Sequence, residues 1–149
     1  MSIHGRNIQT MLKIFAAVEA RDEKAMLELC RPEVEFHWPG SLPYGGEFHG
    51  LARHSPSWAE TWIPLQPAEA ERRMDPRVIA ANEDEVVVLW NQRGVSPSGE
   101  RFEGEVLALY RLQEGKLARA QMFYFDTTAV ADFLMKAKRG METNAKAIA

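Results

Sequence analysis

The side chains able to carry a proton near neutrality lie far apart in this chain. Asp126 follows the run "MFYF" and precedes "TTAVADFL". It shares strand parity with Met122 and Tyr124. Desolvated beside those side chains, its carboxyl would titrate closer to neutrality and could shuttle protons. The same position suits a helix N-cap, where the carboxylate accepts backbone N–H bonds. The two roles are compatible, and both stay open at this point. His37, His49 and His54 are the other candidates, because the imidazole side chain is the one suited to proton transfer near neutrality. His37 has the opposite parity to Phe36 and Trp38, His49 adjoins Gly50, and His54 sits near a helix start. A metal site needs three or four converging ligands. These histidines show no recognised ligand spacing and no cysteine cluster supports them, so no metal is expected.

Rings outnumber titratable groups as candidate site residues. Trp38, Tyr44, Trp58, Trp62, Trp90 and Tyr124 combine flat apolar surface with a polar handle, which suits a pocket for a flat or apolar ligand. Gln92 shares a strand face with Trp90, so it is a buried polar group in need of a partner, able to orient ligand or water. The stretch "HWPGSLPYGGEFHG", residues 37–50, stiffens its backbone with prolines and turns tightly on glycines. It reads as the lip of that pocket, carrying Trp38 and Tyr44.

These groups must be positioned by a single domain. The chain has 149 residues, is 46% hydrophobic and 26% charged, and carries a formal net charge of -3, a globular composition. No Lys/Arg run suggests nucleic acid. No apolar run nears the roughly 20 residues that span a bilayer, and the N-terminus lacks a secretory signal. The single Cys30 makes no internal disulfide and follows apolar Met26 and Leu29, as a small buried hydrophobe would. A cytoplasmic location is expected.

Ile8, Met11, Leu12, Phe15 and Val18 form one helical stripe. Asp22 suits the N-cap of a second helix burying Ala25, Met26, Leu29 and Cys30 and stopped by Pro32. "EVEFHW" alternates as a short strand with Val34, Phe36 and Trp38 on one side. Ser55 and Pro56 signal a helix start, placing Trp58 and Trp62 on one face, with Pro64 and Pro67 ending the element. "RVIAA", "EVVVLWNQRGV", "ERFEGEVLALYRL" and "KLARAQMFYF" are four strand-type runs with hairpin-length separators, an antiparallel meander. A helix carrying Val130, Phe133 and Leu134 follows. Gly140 is expected to stop it, leaving residues 140–149 as a flexible tail behind a domain of residues 1–139.

The long strands are apolar on both faces. Val106, Ala108 and Tyr110 share one side, while Leu107 and Leu109 share the other. An antiparallel sheet with one wet face would alternate apolar and polar. Helices can cover one face. A second copy of the chain is the expected cover for the other, unless the C-terminal helix wraps round to it.

The order helices, strand, Gly/Pro-rich crossing, helix and meander, with the glycines of "GEFHG" (Gly46 and Gly50) and an Asp directly after the last strand, resembles the nuclear-transport-factor-2-like superfamily in its SnoaL-like/ketosteroid-isomerase-like branch. The resemblance spans roughly residues 8–135. It implies an α+β fold, a cone-shaped curved antiparallel sheet packed on N-terminal helices, called cystatin-like or NTF2-like. It also implies an apolar cavity at the open end and a dimer interface on the sheet's outer face. The ketosteroid-isomerase pattern fails residue by residue. Its base position falls at Trp38 or His37, its tyrosine at Ile14 and its second acid at Ala108, so that reaction is not expected. SnoaL-like cyclases place an acid/base aspartate near the end of the last strand, which implies Asp126. The Asp–Arg–Asp set of limonene-type epoxide hydrolases cannot be assembled, because Arg93 takes the outer parity, as do Glu103 and Glu105.

The expectation is a cofactor-independent pocket protein for a small hydrophobic molecule, dimeric through the outer sheet face. Trp38, Tyr44, Trp58, Trp62, Trp90, Gln92, Ala108, Met122 and Tyr124 would line the pocket. Either Asp126, with His37 as a second candidate, does acid/base chemistry of isomerase, cyclase or dehydratase type, or the module binds without catalysis or serves only to dimerise.

Overall fold

A computed structural model describes residues 2–51 and 58–148. His54 and the Ser55–Pro56 start signal lie outside them. Two helices open the chain, α1 (Ile3–Glu19) and α2 (Glu23–Glu28), followed by β1 (Cys30–Trp38) and β2 (Gly46–His49). Short helices α3 (Trp58–Trp62) and α4 (Glu69–Arg72) flank a 3-10 turn at Ile63–Leu65. Strands β3 (Arg77–Ala81), β4 (Glu85–Val95), β5 (Arg101–Gln113) and β6 (Lys116–Tyr124) form the meander, and α5 (Thr127–Ile148) closes the fold. The strands make one sheet in the order β2-β1-β6-β5-β4-β3. Every pairing is antiparallel except β1 with β6, where the first strand returns parallel to the last.

Local chemistry explains the element ends. The Ser2 hydroxyl accepts from Gly5 N at 3.1 Å and Asp22 Oδ1 from Ala25 N at 3.0 Å, so each side chain satisfies an N–H that its helix leaves unpaired. Glu114 and Gly115 both take positive φ, 53° and 76°, the two-residue hairpin that matches strand twist between β5 and β6. Gly45 is required at the β1–β2 turn, where a Cβ would collide with the Pro39 carbonyl oxygen.

The parity expectation holds along the meander. Val86, Val88, Trp90, Gln92, Val106, Ala108, Tyr110, Leu112, Ala120 and Met122 are buried on the inner face against α1. A register shift between Arg111 and Leu112 turns the odd-numbered Leu117 inward as well. A second cluster lies at the other end of that face, where Val130, Phe133, Leu134 and Ala137 of α5 meet Leu42, Tyr44, Trp62 and Leu65. No helix among the described residues is long and apolar enough to cross a membrane.

Three local expectations need correction. Pro32 does not stop α2. The helix ends at Glu28, and Pro32 lies in β1, across a register shift between Cys30 and Glu35 that interrupts its pairing with β6. Cys30 is therefore a buried strand residue, its thiol donating to the Met26 carbonyl oxygen at 3.4 Å. Gly140 does not end α5, which runs through it to Ile148. Gly140 faces the ring of Pro97 in the β4–β5 turn, with room for little more than a methyl group.

Candidate functional site: an apolar cavity between helix α1 and the sheet

The inner faces of α1, α2, β1, β4, β5 and β6 leave a cavity of about 80 Å³. Ile14, Phe15 and Val18 border it from α1, Phe36 and Trp38 from β1, and Trp90, Tyr110 and Met122 from the meander. Met26, Trp58, Met74 and Leu117 complete the lining. Among the described residues its lining holds no carboxylate, imidazole, amine or thiol.

Rings build the walls. Trp38 stacks on Trp58 with centroids 6.1 Å apart and planes 11° from parallel. Tyr124 meets Trp38 and Trp90 edge-on at 6.5 Å each, and Phe15 meets Trp90 and Tyr110 at 6.2 and 5.9 Å. Such offset and edge contacts match the aromatic quadrupole. Two polar pairs stand behind the walls. Tyr44 and Tyr124 share a hydroxyl hydrogen bond of 2.7 Å, and Trp58 Nε1 donates to Gln92 Oε1 at 3.2 Å. Burial pushes the Tyr44 phenol up to about 12, against the opposing hydrogen bond from Tyr124, and burial likewise holds Tyr124 and Tyr110 well above the ordinary range. All three hydroxyls stay protonated at neutral pH, so they can orient an oxygen but do not serve as bases. The indole N–H groups of Trp38 and Trp90 are buried without an acceptor among the described residues.

The expected pocket set divides. Trp38, Trp58, Trp90 and Met122 line the cavity. Ala108, Gln92 and Tyr124 lie in or behind its walls rather than on its surface. Tyr44 and Trp62 belong to the second cluster. Trp62 stacks on Phe133 at 6.1 Å and 18°, held by α5, and Tyr44 is 1% exposed, so it packs beneath the crossing instead of overhanging an opening. Residues 39–45 are a turn whose Leu42 and Tyr44 point into that cluster.

The candidate proton carriers stand elsewhere. Asp126 is exposed, precedes α5 and accepts from Ala129 N at 2.9 Å through Oδ1, the N-cap geometry. It does not line the cavity. His37 lies on the outer sheet face, its ring between Glu35 Oε1 at 3.1 Å and Glu47 Oε1 at 3.4 Å. Arg93 is also outside, bound to Asp75 at 2.8 Å and Glu103 at 3.2 Å. Sequence reading missed Ile14, Phe15, Val18, Met26, Phe36, Met74, Tyr110 and Leu117 as lining residues. The apolar stripe of α1 was the available signal, since it marks the face turned to the sheet.

The sequence model of the SnoaL-like domain matches residues 11–120. Among curated proteins none matches. Solved structures share the fold. A Xanthomonas campestris protein of cystatin-like fold superposes with TM-score 0.71 at 22% identity, covering 86% of this chain and 97% of that one. TerC, co-crystallised with polyporic acid, gives 0.66 at 24%, covering 87% and 98%. A putative SnoaL-like polyketide cyclase from Jannaschia sp. CCS1 gives 0.66 at 18%, covering 84% and 89%.

Proposed function

Because the chain belongs to the SnoaL-like domain family, we propose that it binds a small, apolar, ring-containing molecule in the cavity between α1 and the sheet, and that Asp126 takes no part in chemistry there. The lining carries this reading: among the described residues it is built from aliphatic, thioether and aromatic groups, with no carboxylate or imidazole. Isomerase- or cyclase-type acid/base catalysis needs a proton-carrying side chain within reach of the ligand, and the candidate Asp126 is engaged at the start of α5. A small-molecule role agrees with TerC, crystallised with polyporic acid, and with the Jannaschia protein described as a putative polyketide cyclase.

The cavity is smaller than the roughly 150 Å³ that houses benzene in an engineered core. Binding a two-ring ligand therefore requires the lining to give way. Met26, Met74 and Met122 are unbranched and adaptable, and Val18, Phe36, Trp38 and Trp58 are only half-buried. We extend the proposal to a homodimer, with the outer sheet face as the interface.

Calorimetric titration with 2-naphthol, two fused rings and one hydroxyl, tests the pocket. Saturable binding at one site per chain is expected, at least tenfold weaker in Val18→Phe, which fills the cavity, and unchanged in Asp126→Asn. Absent saturation, or equal affinity in Val18→Phe, would overturn the pocket. Weakened binding in Asp126→Asn would return the carboxylate to the site.

A further inference from the structure

Strand β4 outruns its neighbour. Its pairing with β3 ends at Leu89, opposite Arg77, while its pairing with β5 continues to Val95. Beyond Leu89 the segment around α4 covers the edge that β3 leaves. Asn91 N donates to the Met74 carbonyl oxygen at 2.8 Å, and Gln66 Nε2 donates to the Arg93 carbonyl oxygen at 2.8 Å. This segment does not continue the ladder, and a cleft of about 140 Å³ remains between α4 and the β4–β5 hairpin. Glu71 lines it from α4, Arg93 and Gly94 from β4, and Arg101, Phe102 and Glu103 from β5. It shares no lining residue with the apolar cavity under α1.

Glu71 is the unusual member. Its side chain is only 6% exposed, although it stands on a helix of four residues. Its Oε1 accepts from Arg101 Nη1 at 3.1 Å, but its Oε2 is buried with no partner among the described residues. A buried oxygen that gives up water without gaining a donor is costly, most of all on a carboxylate. The partner that Glu71 has is loosely held: the Arg101 side chain is 72% exposed and makes this one ion pair among the described residues. Arg93 is the opposite case. Its Nη2 meets Asp75 Oδ2 at 2.8 Å and Glu103 Oε1 at 3.2 Å, and its Nη1 donates to the Arg73 carbonyl oxygen at 2.6 Å. Two carboxylates fix and neutralise that guanidinium, so it forms a wall of the cleft and leaves Glu71 unmatched.

We propose that this cleft binds a small organic cation with a planar amidinium or guanidinium head, anchored on Glu71. The head takes the place of the Arg101 guanidinium and gives each carboxylate oxygen an N–H. Paired, parallel N–H···O bonds are the strong form of this contact. Arg101 is tethered to β5 and engages Oε1 alone, whereas a free ligand can align with both oxygens. Once displaced, Arg101 returns to water, and an ion pair with one partner so exposed is weak. Phe102, held against Phe133 with ring centroids 5.1 Å apart, adds an aromatic surface that suits a cation. The volume is close to the roughly 150 Å³ that houses benzene in an engineered core, so one ring fits beside the head. An anion is disfavoured, because it would lie against Glu71 and Glu103 while Arg93 is already matched by two carboxylates.

Calorimetric titration of the full chain with benzamidine hydrochloride, one ring and one amidinium, is the test. Saturable binding at one site per chain is expected, with no binding of benzamide, which has the same shape without the charge. 2-Naphthol, the probe of the apolar cavity, does not compete. Glu71→Gln weakens binding at least tenfold. Arg101→Ala removes the internal competitor and strengthens binding at least threefold, the reverse of its effect on a site for an anion. Circular dichroism confirms that each variant is folded, and the exposed position of Arg101 keeps the test decisive should Glu71→Gln fail to fold. Absent saturation, equal binding of benzamide, competition by 2-naphthol, undiminished binding in folded Glu71→Gln, or binding unchanged or weakened in Arg101→Ala would each overturn the assignment.

Discussion

Cys30 and Tyr44 show what burial does to a single ionisable side chain. Burial pushes the Cys30 thiol up to about 11, slightly opposed by the charge of Lys116, and raises the Tyr44 phenol to about 12. In an unfolded chain they ionise at about 8.5 and about 10. Between those values and the folded ones, the unfolded chain has released protons that the native state still holds. Stability therefore falls as pH rises. The contribution of the neutral thiol is intact below about pH 8.5 and is lost as pH climbs toward 11; that of Tyr44 follows from about 10 to 12. Each shift corresponds to a loss of roughly 3 kcal/mol at the alkaline end. Melting temperatures recorded from pH 8 to 11 should decline, and the decline should be shallower in Cys30→Ala, whatever that variant loses in packing at pH 8. An identical slope with and without the thiol would refute the thiol's part. The same burial makes Cys30 a poor nucleophile, as expected from its apolar neighbours, although it belongs to β1 and not to α2.

At the scale of elements, α5 is fastened to the sheet through one close approach. Gly94 of β4 lies beneath the Trp62 and Phe133 rings, and a Cβ there would come within 3.0 Å of Trp62 and 3.3 Å of Phe133. Gly94→Ala must displace a stacked pair that α3 and α5 hold from both sides. Overpacking of this kind costs roughly 1–3 kcal/mol, more than the roughly 0.4–1 kcal/mol gained by restricting the unfolded chain. The urea midpoint should drop accordingly, and a midpoint equal to or above that of the unmodified chain would show that the rings yield freely. This contact also shows where sequence reading stops. The inward set Val86, Val88, Trp90 was legible because strand side chains alternate with period two, a rule that holds without knowledge of the rest of the fold. The division of the rings was not legible. Trp58 and Trp62 are four apart in one helix, yet one lines the cavity and the other packs on α5, because their neighbours come from distant segments. Likewise β2 is four residues between glycines, too short for a pattern. Its pairing with β1 is what sets His49 opposite Glu35.

For the whole molecule, the open question is what covers the outer face of the sheet. Leu89, Leu107 and Phe123 stand side by side across β4, β5 and β6 in register, with Val87 and Leu109 in the next row. Leu107 is 41% and Phe123 50% exposed. The C-terminal helix was the alternative cover for this face, but its apolar residues are committed to the inner-face cluster around Trp62. Polar residues bound the stripe, with Arg93 and Glu103 toward one end and Arg111 and Arg119 toward the other. An apolar centre with a charged rim is the anatomy of a protein interface. A two-fold pairing brings the same patch from both copies together, so every substitution at its centre counts twice. Leu107→Glu would bury two carboxylates against apolar side chains, each without a partner, a cost of several kcal/mol per charge that such an interface cannot absorb. The cost falls on association alone, because in the separate chain residue 107 faces water and the inner core is untouched. Light scattering should give twice 16.9 kDa for the unmodified chain and 16.9 kDa for Leu107→Glu, with the same circular dichroism spectrum for both. A monomer before substitution, or a dimer that survives it, would mean that this stripe is not the contact between copies.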